Sequence, residues 1–305
     1  MEPCRLVASR STAISSRPRA RLTLIVRTRA ALRDALGGAA RPIGLIPTMG
    51  WLHDGHRALI RQARAADATT VVTIFVNPRQ FNVPEDYTRY PRDEARDLEV
   101  CETEGVDVVF APDPIEVYPP GFDTTVRVGA VATPLEGAAR PGHFDGVATV
   151  VAVLFGLVGA DHAYFGQKDA QQVMVIRQMA RDLAIPTEVI ACPTVREPDG
   201  LALSSRNVHL SPAERAAAPV LRAALLAARD RWAAGERSAE RLRDAMLERL
   251  GVEPLADVEY VSVADGTTLK ELDLVDRPAL LSLAVRFGKT RLIDNEPLGD
   301  RPAIA

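Results

Sequence analysis

Pro47-Thr48-Met49-Gly50-Trp51-Leu52-His53-Asp54-Gly55-His56 is the stretch whose reading decides the fold. The run before it, Ile43-Gly44-Leu45-Ile46, is apolar without polar alternation and reads as a strand buried on both faces. From Arg57 to about Arg64 the pattern turns helical, with Ala58, Leu59 and Ala63 on one side. Between strand and helix lies a turn punctuated by Gly50 and Gly55. That arrangement aims backbone N–H groups at an anion. His53 and His56 add side-chain donors, and imidazole changes charge near neutral pH. The stretch reads as a phosphate site.

Plainer readings stand beside this one. Every βα unit has such a turn, and the two histidines could be loop residues or a zinc pair. No Cys or His cluster elsewhere offers a third and fourth ligand at sensible spacing. The spelling His-x-Gly-His directly after a strand is more specific. It resembles the signature of the nucleotidyltransferase superfamily, which implies histidines that bind ATP phosphates and stabilise charge on the α-phosphate.

Composition sets the outer bounds. The 305 residues suit one large domain or two, and 47% hydrophobic with 25% charged residues is ordinary for a globular chain. A formal net charge of −3 gives no reason to expect nucleic acid or a membrane surface as partner. No apolar run approaches the roughly 20 residues of a membrane span. Cys4, Cys101 and Cys192 lack motif spacing and fit a reducing compartment, so a cytoplasmic location is expected. Basic charge is almost wholly arginine, and Lys168, Lys270 and Lys289 are the only lysines.

Residues 1–21 are rich in Arg and Ser with almost no acid, as in a transit peptide or an unstructured extension, and are set apart from the fold. Strands are expected at Leu22–Val26, Thr70–Val76, Val106–Phe110, Asp161–Phe165 and Thr187–Ala191. Helices are expected at Thr28–Leu36, about Arg92–Glu104, Val147–Val158 and Ala170–Leu183. The alternation predicts a doubly wound parallel sheet whose ligands bind beyond the strands' carboxyl ends. Pro47–His56 and Asn77–Phe81 should then face one crevice, with Arg140–Gly146 a loop. Beyond Pro193 the texture changes to helices at Ser211–Ala234 and Ser238–Leu250. Strands at Val258–Val263, Leu280–Phe287 and Thr290–Ile293 follow, so a domain boundary is placed there.

Lys168 occupies a second strand-to-helix junction, where a mobile point charge suits phosphates. A surface lysine at a helix start is the alternative, which the helix dipole disfavours. Asp169 and Gln172 also suit an ordinary capping box. Ser204-Ser205-Arg206 is either a turn or a hydroxyl and guanidinium clamp on triphosphate. Asp97 is either a magnesium ligand or a solvated helix residue.

Together, Pro47–His56, Phe75–Phe81, Tyr90-Pro91-Arg92, Gly142–Val150, Tyr164–Gln172, Pro193–Asn207 and Gly288–Asn295 resemble the pantoate–β-alanine ligase family in order and spacing. The resemblance implies a Rossmann-like doubly wound sheet over 22–193, with a smaller α+β C-terminal lid over 194–305, in a homodimer. It implies ATP contacts at Met49, Gly50, Trp51, Leu52, His53, Asp54, Gly55 and His56. Further ATP contacts are implied at Gly166, Gln167, Lys168, Asp169, Val195, Leu203, Ser204, Ser205 and Arg206. His56 is implied as catalytic acid, with His53 and Lys168 beside it, and Gln80 and Gln172 as ligands of pantoate and β-alanine. Arg79, Asn82 and Asp145 depart from the pattern, and the N-terminal extension has no counterpart.

The implied reaction uses ATP, with Mg²⁺ on its phosphates, to adenylate pantoate; β-alanine then displaces AMP. The residues that would hold the metal are left open. Two rivals stand beside it: a related nucleotidyltransferase that never releases AMP, and a non-catalytic nucleotide-binding module.

Overall fold

The computed structural model describes residues 22–82 and 84–299; the extension over 1–21 lies outside the described residues. The first sheet comprises β1 (Leu24–Val26), β2 (Ile43–Thr48), β3 (Thr69–Ile74), β4 (Val108–Phe110), β5 (His162–Gly166) and β6 (Glu188–Cys192). The strands run in the order β1-β4-β3-β2-β5-β6, and every recorded pairing is parallel. Strand side chains alternate faces. Leu45 and Val71 enter one core with α1 (Arg29–Leu36), while Ile46 and Val72 enter the other with α2 (Asp54–Ala66). This is why β2 and β3 are apolar without alternation.

α3 (Pro84–Arg89), α4 (Glu94–Glu104), α5 (Pro114–Val117), α6 (Glu136–Ala139), α7 (His143–Val158) and α8 (Ala170–Asp182) complete this unit. From β2 the chain steps to β3 and β4 on one side, whereas β5 and β6 lie on the other. The order therefore switches at β2 and β5, and a crevice opens beyond their carboxyl ends.

The second unit packs α9 (Pro212–Ala217), α10 (Val220–Ala233) and α11 (Ala239–Leu250) on β7 (Asp257–Asp265), β8 (Ala279–Phe287) and β9 (Thr290–Leu298). These strands are antiparallel. Leu281, Leu283 and Val285 face the helices, while Leu280 joins the core of the first unit.

Several elements differ from the sequence expectation. The single helix expected over Ser211–Ala234 is two, because Pro219 lacks the N–H that would continue the ladder. α7 begins at His143, inside the stretch expected to be loop, and its cap is left-handed Gly142 with no side-chain signal. α3 has no counterpart among the expected helices.

The two units are tied by a buried carboxylate. Glu136, 7% exposed, takes Arg291 bidentately at 2.6 and 2.7 Å and the Tyr260 hydroxyl at 2.9 Å. Burial opposes its charge, but Arg291 holds the carboxyl below the ordinary 4.5. The pair's contribution is therefore full above pH 4.5 and is lost as pH falls through the lowered folded value. Arg291→Met leaves Glu136 buried without its cation, at an expected cost of about 3 kcal/mol. Urea unfolding followed by circular dichroism measures this, and an unshifted midpoint at neutral pH contradicts it.

Candidate active site

The turn after β2 is built on an unusual backbone. Gly50 and Trp51 are both left-handed, with φ of +81° and +52°. That region is uncommon for any side-chain-bearing residue. Asp97 of α4, 1% exposed, accepts the N–H groups of Trp51 and Leu52, each at 2.7 Å. A Cβ at Gly50 would lie 2.8 Å from the same carboxylate, so only glycine fits there. Burial pushes the Asp97 carboxyl above the ordinary range and the two N–H bonds oppose that shift. The sequence offered Asp97 as a magnesium ligand or a solvated residue. It is buried outside the cavity, with both oxygens on the turn's backbone, and is neither.

The turn delivers two imidazoles to the start of α2, with ring centroids 4.1 Å apart. His53 Nδ1 accepts from the Gly55 N–H at 3.1 Å, and His56 Nδ1 accepts from the His53 N–H at 3.3 Å. A backbone N–H can only donate, so in both rings the proton sits on Nε2. Burial, then Lys168, pushes His53 down to about 4; burial, then His53, pushes His56 down to about 3. In the ligand-free protein both are neutral N–H donors at pH 7, which corrects the expectation of charge change near neutrality.

Across the crevice, the end of β5 presents Gly166, Lys168 and Asp169. Lys168 Nζ lies 3.5 Å from Asp169 Oδ1. Asp169 caps α8 by position but makes no side-chain capping bond, so the capping box does not form and Gln172 lines the cavity instead. Asn295 of β9 donates to the carbonyls of Gln167 and Lys168, both at 2.9 Å. Its neighbour Asp294 pairs bidentately with Arg196, at 2.6 and 2.9 Å. β9 thus fixes both the lysine loop and the segment that leads to Leu203, Ser204, Ser205 and Arg206.

These parts meet around a cavity of about 260 Å³. Met49, His53, Gly55, His56, Gln80, Gly166, Lys168, Asp169, Gln172, Val195 and Leu203 through Arg206 all line it. Gly50, Trp51, Leu52, Asp54 and Gln167 do not. Leu52 is fully buried in the core, Trp51 lies under Arg96, and the Asp54 side chain is 80% exposed.

The cavity's far end mixes polarity. Val147, Val150, Val151 and Leu154 of α7 form an apolar wall beside Asn77, Gln80, Arg140 and His143. α7 approaches so closely that a Cβ on Gly146 would stand 2.2 Å from the Arg79 carbonyl oxygen. Arg140 donates to His143 Nε2 at 3.0 Å, so His143 Nδ1–H donates to the Gln80 carbonyl at 2.8 Å. Burial, then Arg140, holds His143 down at about 4. Arg140, His143 and Asn77 were not singled out as ligands from sequence. Their placement in the segments Arg140–Gly146 and Asn77–Phe81 was the available signal. Of the departures, Asn82 donates to the Pro141 carbonyl and Asp145 pairs with Arg127 at 3.0 Å; neither lines the cavity.

Comparison with known proteins follows the same lines. A family model described as pantoate-beta-alanine ligase matches residues 24–297. A pantothenate synthetase of Roseiflexus sp. (strain RS-1) is 59% identical over 271 residues, covering 89% of this chain and 98% of that protein. One from Chloroflexus aggregans is 61% identical over 254 residues, covering 83% and 92%. The crystal structure of pantothenate synthetase from Thermus thermophilus superposes with a TM-score of 0.87 at 49% identity, covering 90% of this chain and 99% of that one. The pantoate-beta-alanine ligase of Francisella tularensis, solved with beta-gamma ATP and beta-alanine, gives 0.74 at 34% identity, covering 90% and 97%.

The imidazole assignment is open to a direct check. In ¹⁵N spectra of the ligand-free protein, His53 and His56 should remain neutral Nε2–H tautomers from pH 8 down to about 5. Titration of either ring near 6.5 contradicts the burial argument.

Proposed function

The chain belongs to the pantoate–β-alanine ligase family, and from that premise we propose how its residues divide the work of the reaction. The enzyme joins pantoate to β-alanine with ATP, forming pantothenate through a pantoyl adenylate and releasing pyrophosphate and AMP. The observation that carries the assignment is a convergence. Two neutral imidazole donors, Lys168 and Arg206 share one cavity with Gln80, Gln172 and an apolar wall.

In the first step the pantoate carboxylate attacks the α-phosphorus, and the bond to the bridging oxygen of pyrophosphate breaks. Two anions must approach, so donors and cations fixed in advance lower the barrier. His53 and His56 give Nε2–H bonds to phosphate oxygens, and His56 takes the α-phosphate, where as a neutral donor it stabilises the developing charge without giving up its proton. Lys168 and Arg206 balance the remaining charge. The α2 N-terminus adds the positive end of its helix dipole. Ser204 and Ser205 border the nucleotide, with Ser205 hydrogen-bonded to Tyr90. In the second step the β-alanine nitrogen attacks the acyl carbon, loses a proton and expels AMP. That step asks mainly for positioning of a neutral amine.

Gln80 and Gln172 hold the polar end of pantoate. The α7 wall of Val147, Val150, Val151 and Leu154 takes its branched hydrocarbon part. Among the described residues no group of three or more His, Cys, Asp or Glu could hold a metal ion. Mg²⁺ carried on the triphosphate would need few protein ligands. Asp169 is the carboxylate among the lining residues and would be the one to reach the ion; burial works against its charge, but Lys168 and Arg206 hold its carboxyl below the ordinary range. When bound, the ion neutralises phosphate charge.

The division into a nucleotide- and pantoate-binding domain over 22–193 and a lid over 194–305 belongs to this proposal. Closure would carry Ser204-Ser205-Arg206 onto the phosphates. The homodimer implied by the family resemblance and a cytoplasmic setting complete it. No helix of the described residues is long and apolar enough to cross a membrane.

AMP should appear only when ATP, pantoate and β-alanine are all present, measured by chromatography with each acid omitted in turn. His56→Ala and Lys168→Ala should each slow adenylate formation by about 10²-fold, the scale of losing one transition-state donor. Pyrophosphate release at the wild-type rate in either variant would refute its assigned role.

A further inference from the structure

We propose that Tyr118, which does not line the cavity, is a positioning residue for pantoate. Through Asn77, whose orientation two backbone groups set, its hydroxyl holds the Gln80 amide in place so that N–H donors face the substrate. The inference rests on Gln80 as a pantoate ligand and adds how that ligand is oriented.

The orientation follows from groups whose roles are fixed. The backbone N–H of Arg79 can only donate, and it meets Asn77 Oδ1 at 3.2 Å. The carbonyl of Gly146 can only accept, and it meets Asn77 Nδ2 at 3.1 Å. The Asn77 amide therefore has one allowed orientation. Its second Nδ2 hydrogen goes to Gln80 at 2.9 Å, so the Gln80 atom there must be the carbonyl Oε1. Gln80 Nε2 is left pointing to the cavity side, 3.1 Å from the sulfur of Met49. A flipped Gln80 would set two NH₂ groups against each other and turn a carbonyl oxygen toward an arriving carboxylate.

Tyr118 closes the chain. Its hydroxyl donates to Asn77 Oδ1 at 2.7 Å, the shorter of the two bonds that oxygen accepts. The four hydrogen bonds of the Asn77 amide are then complete, in a side chain only 1% exposed. The ring is itself held, with Phe122 edge-on at 5.0 Å and Phe75 at 6.1 Å. Arg79 stacks its guanidinium 4.8 Å from the centroids of both Tyr118 and Phe122. The arginine that departs from the family pattern thus braces the residue that orients its neighbour, Gln80.

Tyr118→Phe keeps the ring and removes only the hydroxyl. Steady-state kinetics should show a KM for pantoate raised about tenfold, the scale of one lost buried hydrogen bond. The KM for ATP should stay near wild type, and the thermal midpoint should fall by only about 2 °C, the scale of one lost buried hydrogen bond in a chain of this size. Placed on Gln80→Ala, which itself weakens pantoate, the same change should add nothing, since both act through one amide. An unchanged pantoate KM in Tyr118→Phe, alongside a raised one in Gln80→Ala, overturns the proposal alone. Additive effects in the double variant, or equal loss toward ATP and pantoate, also overturn it by assigning Tyr118 a general structural role. A Gln80→Ala enzyme with wild-type pantoate KM instead removes the premise and the proposal with it.

Discussion

A buried carboxylate holds the nucleotide half of this site together. Asp97 accepts two consecutive N–H groups from a turn whose residues 50 and 51 are both left-handed. Left-handed backbone at a non-glycine residue is costly and persists only where its surroundings enforce it. Here the enforcing group sits on α4, far along the chain. Because the turn is fixed, α2 starts at a defined place, and the two imidazoles acquire defined tautomers from backbone donors. The two Nε2–H donors are thus set by main-chain geometry in the ligand-free protein, the condition under which electrostatic stabilisation is most effective.

The same economy recurs on the opposite wall. Lys168 is placed by a loop whose carbonyls are tied to Asn295, and Arg196 on the way to Arg206 is tied to Asp294. Two adjacent residues of β9 therefore align the lysine from the first unit with the arginine from the second. The Glu136–Arg291 pair fastens the two units beside them. The cavity is an outcome of how the two sheets are joined as well as of the parallel sheet's switch point.

The parallel sheet was legible in the sequence because its signals are local. Ile43–Ile46 and Thr70–Val76 are apolar on both faces, and the glycines and histidines that follow β2 mark a strand-to-helix turn. Lys168 was legible because a lysine is rare in this arginine-rich chain and stands at a second such junction. Asp97 was misread because its partners are backbone N–H groups, which no residue identity advertises. The start of α7 was missed for a related reason: Gly142 caps it through conformation alone. The depressed imidazole pKa values depend on burial and on Lys168, and both exist only after the chain has folded. The break at Pro219 was available to a stricter reading of proline within a helical pattern.

Isotope exchange isolates the adenylation on which everything else in the site depends. With β-alanine omitted, the enzyme should exchange labelled pyrophosphate into ATP only when pantoate is present, because forming pantoyl adenylate is reversible and needs no amine. Exchange that requires β-alanine, or none at all in an enzyme that still makes pantothenate, would contradict a site organised around attack on the α-phosphate.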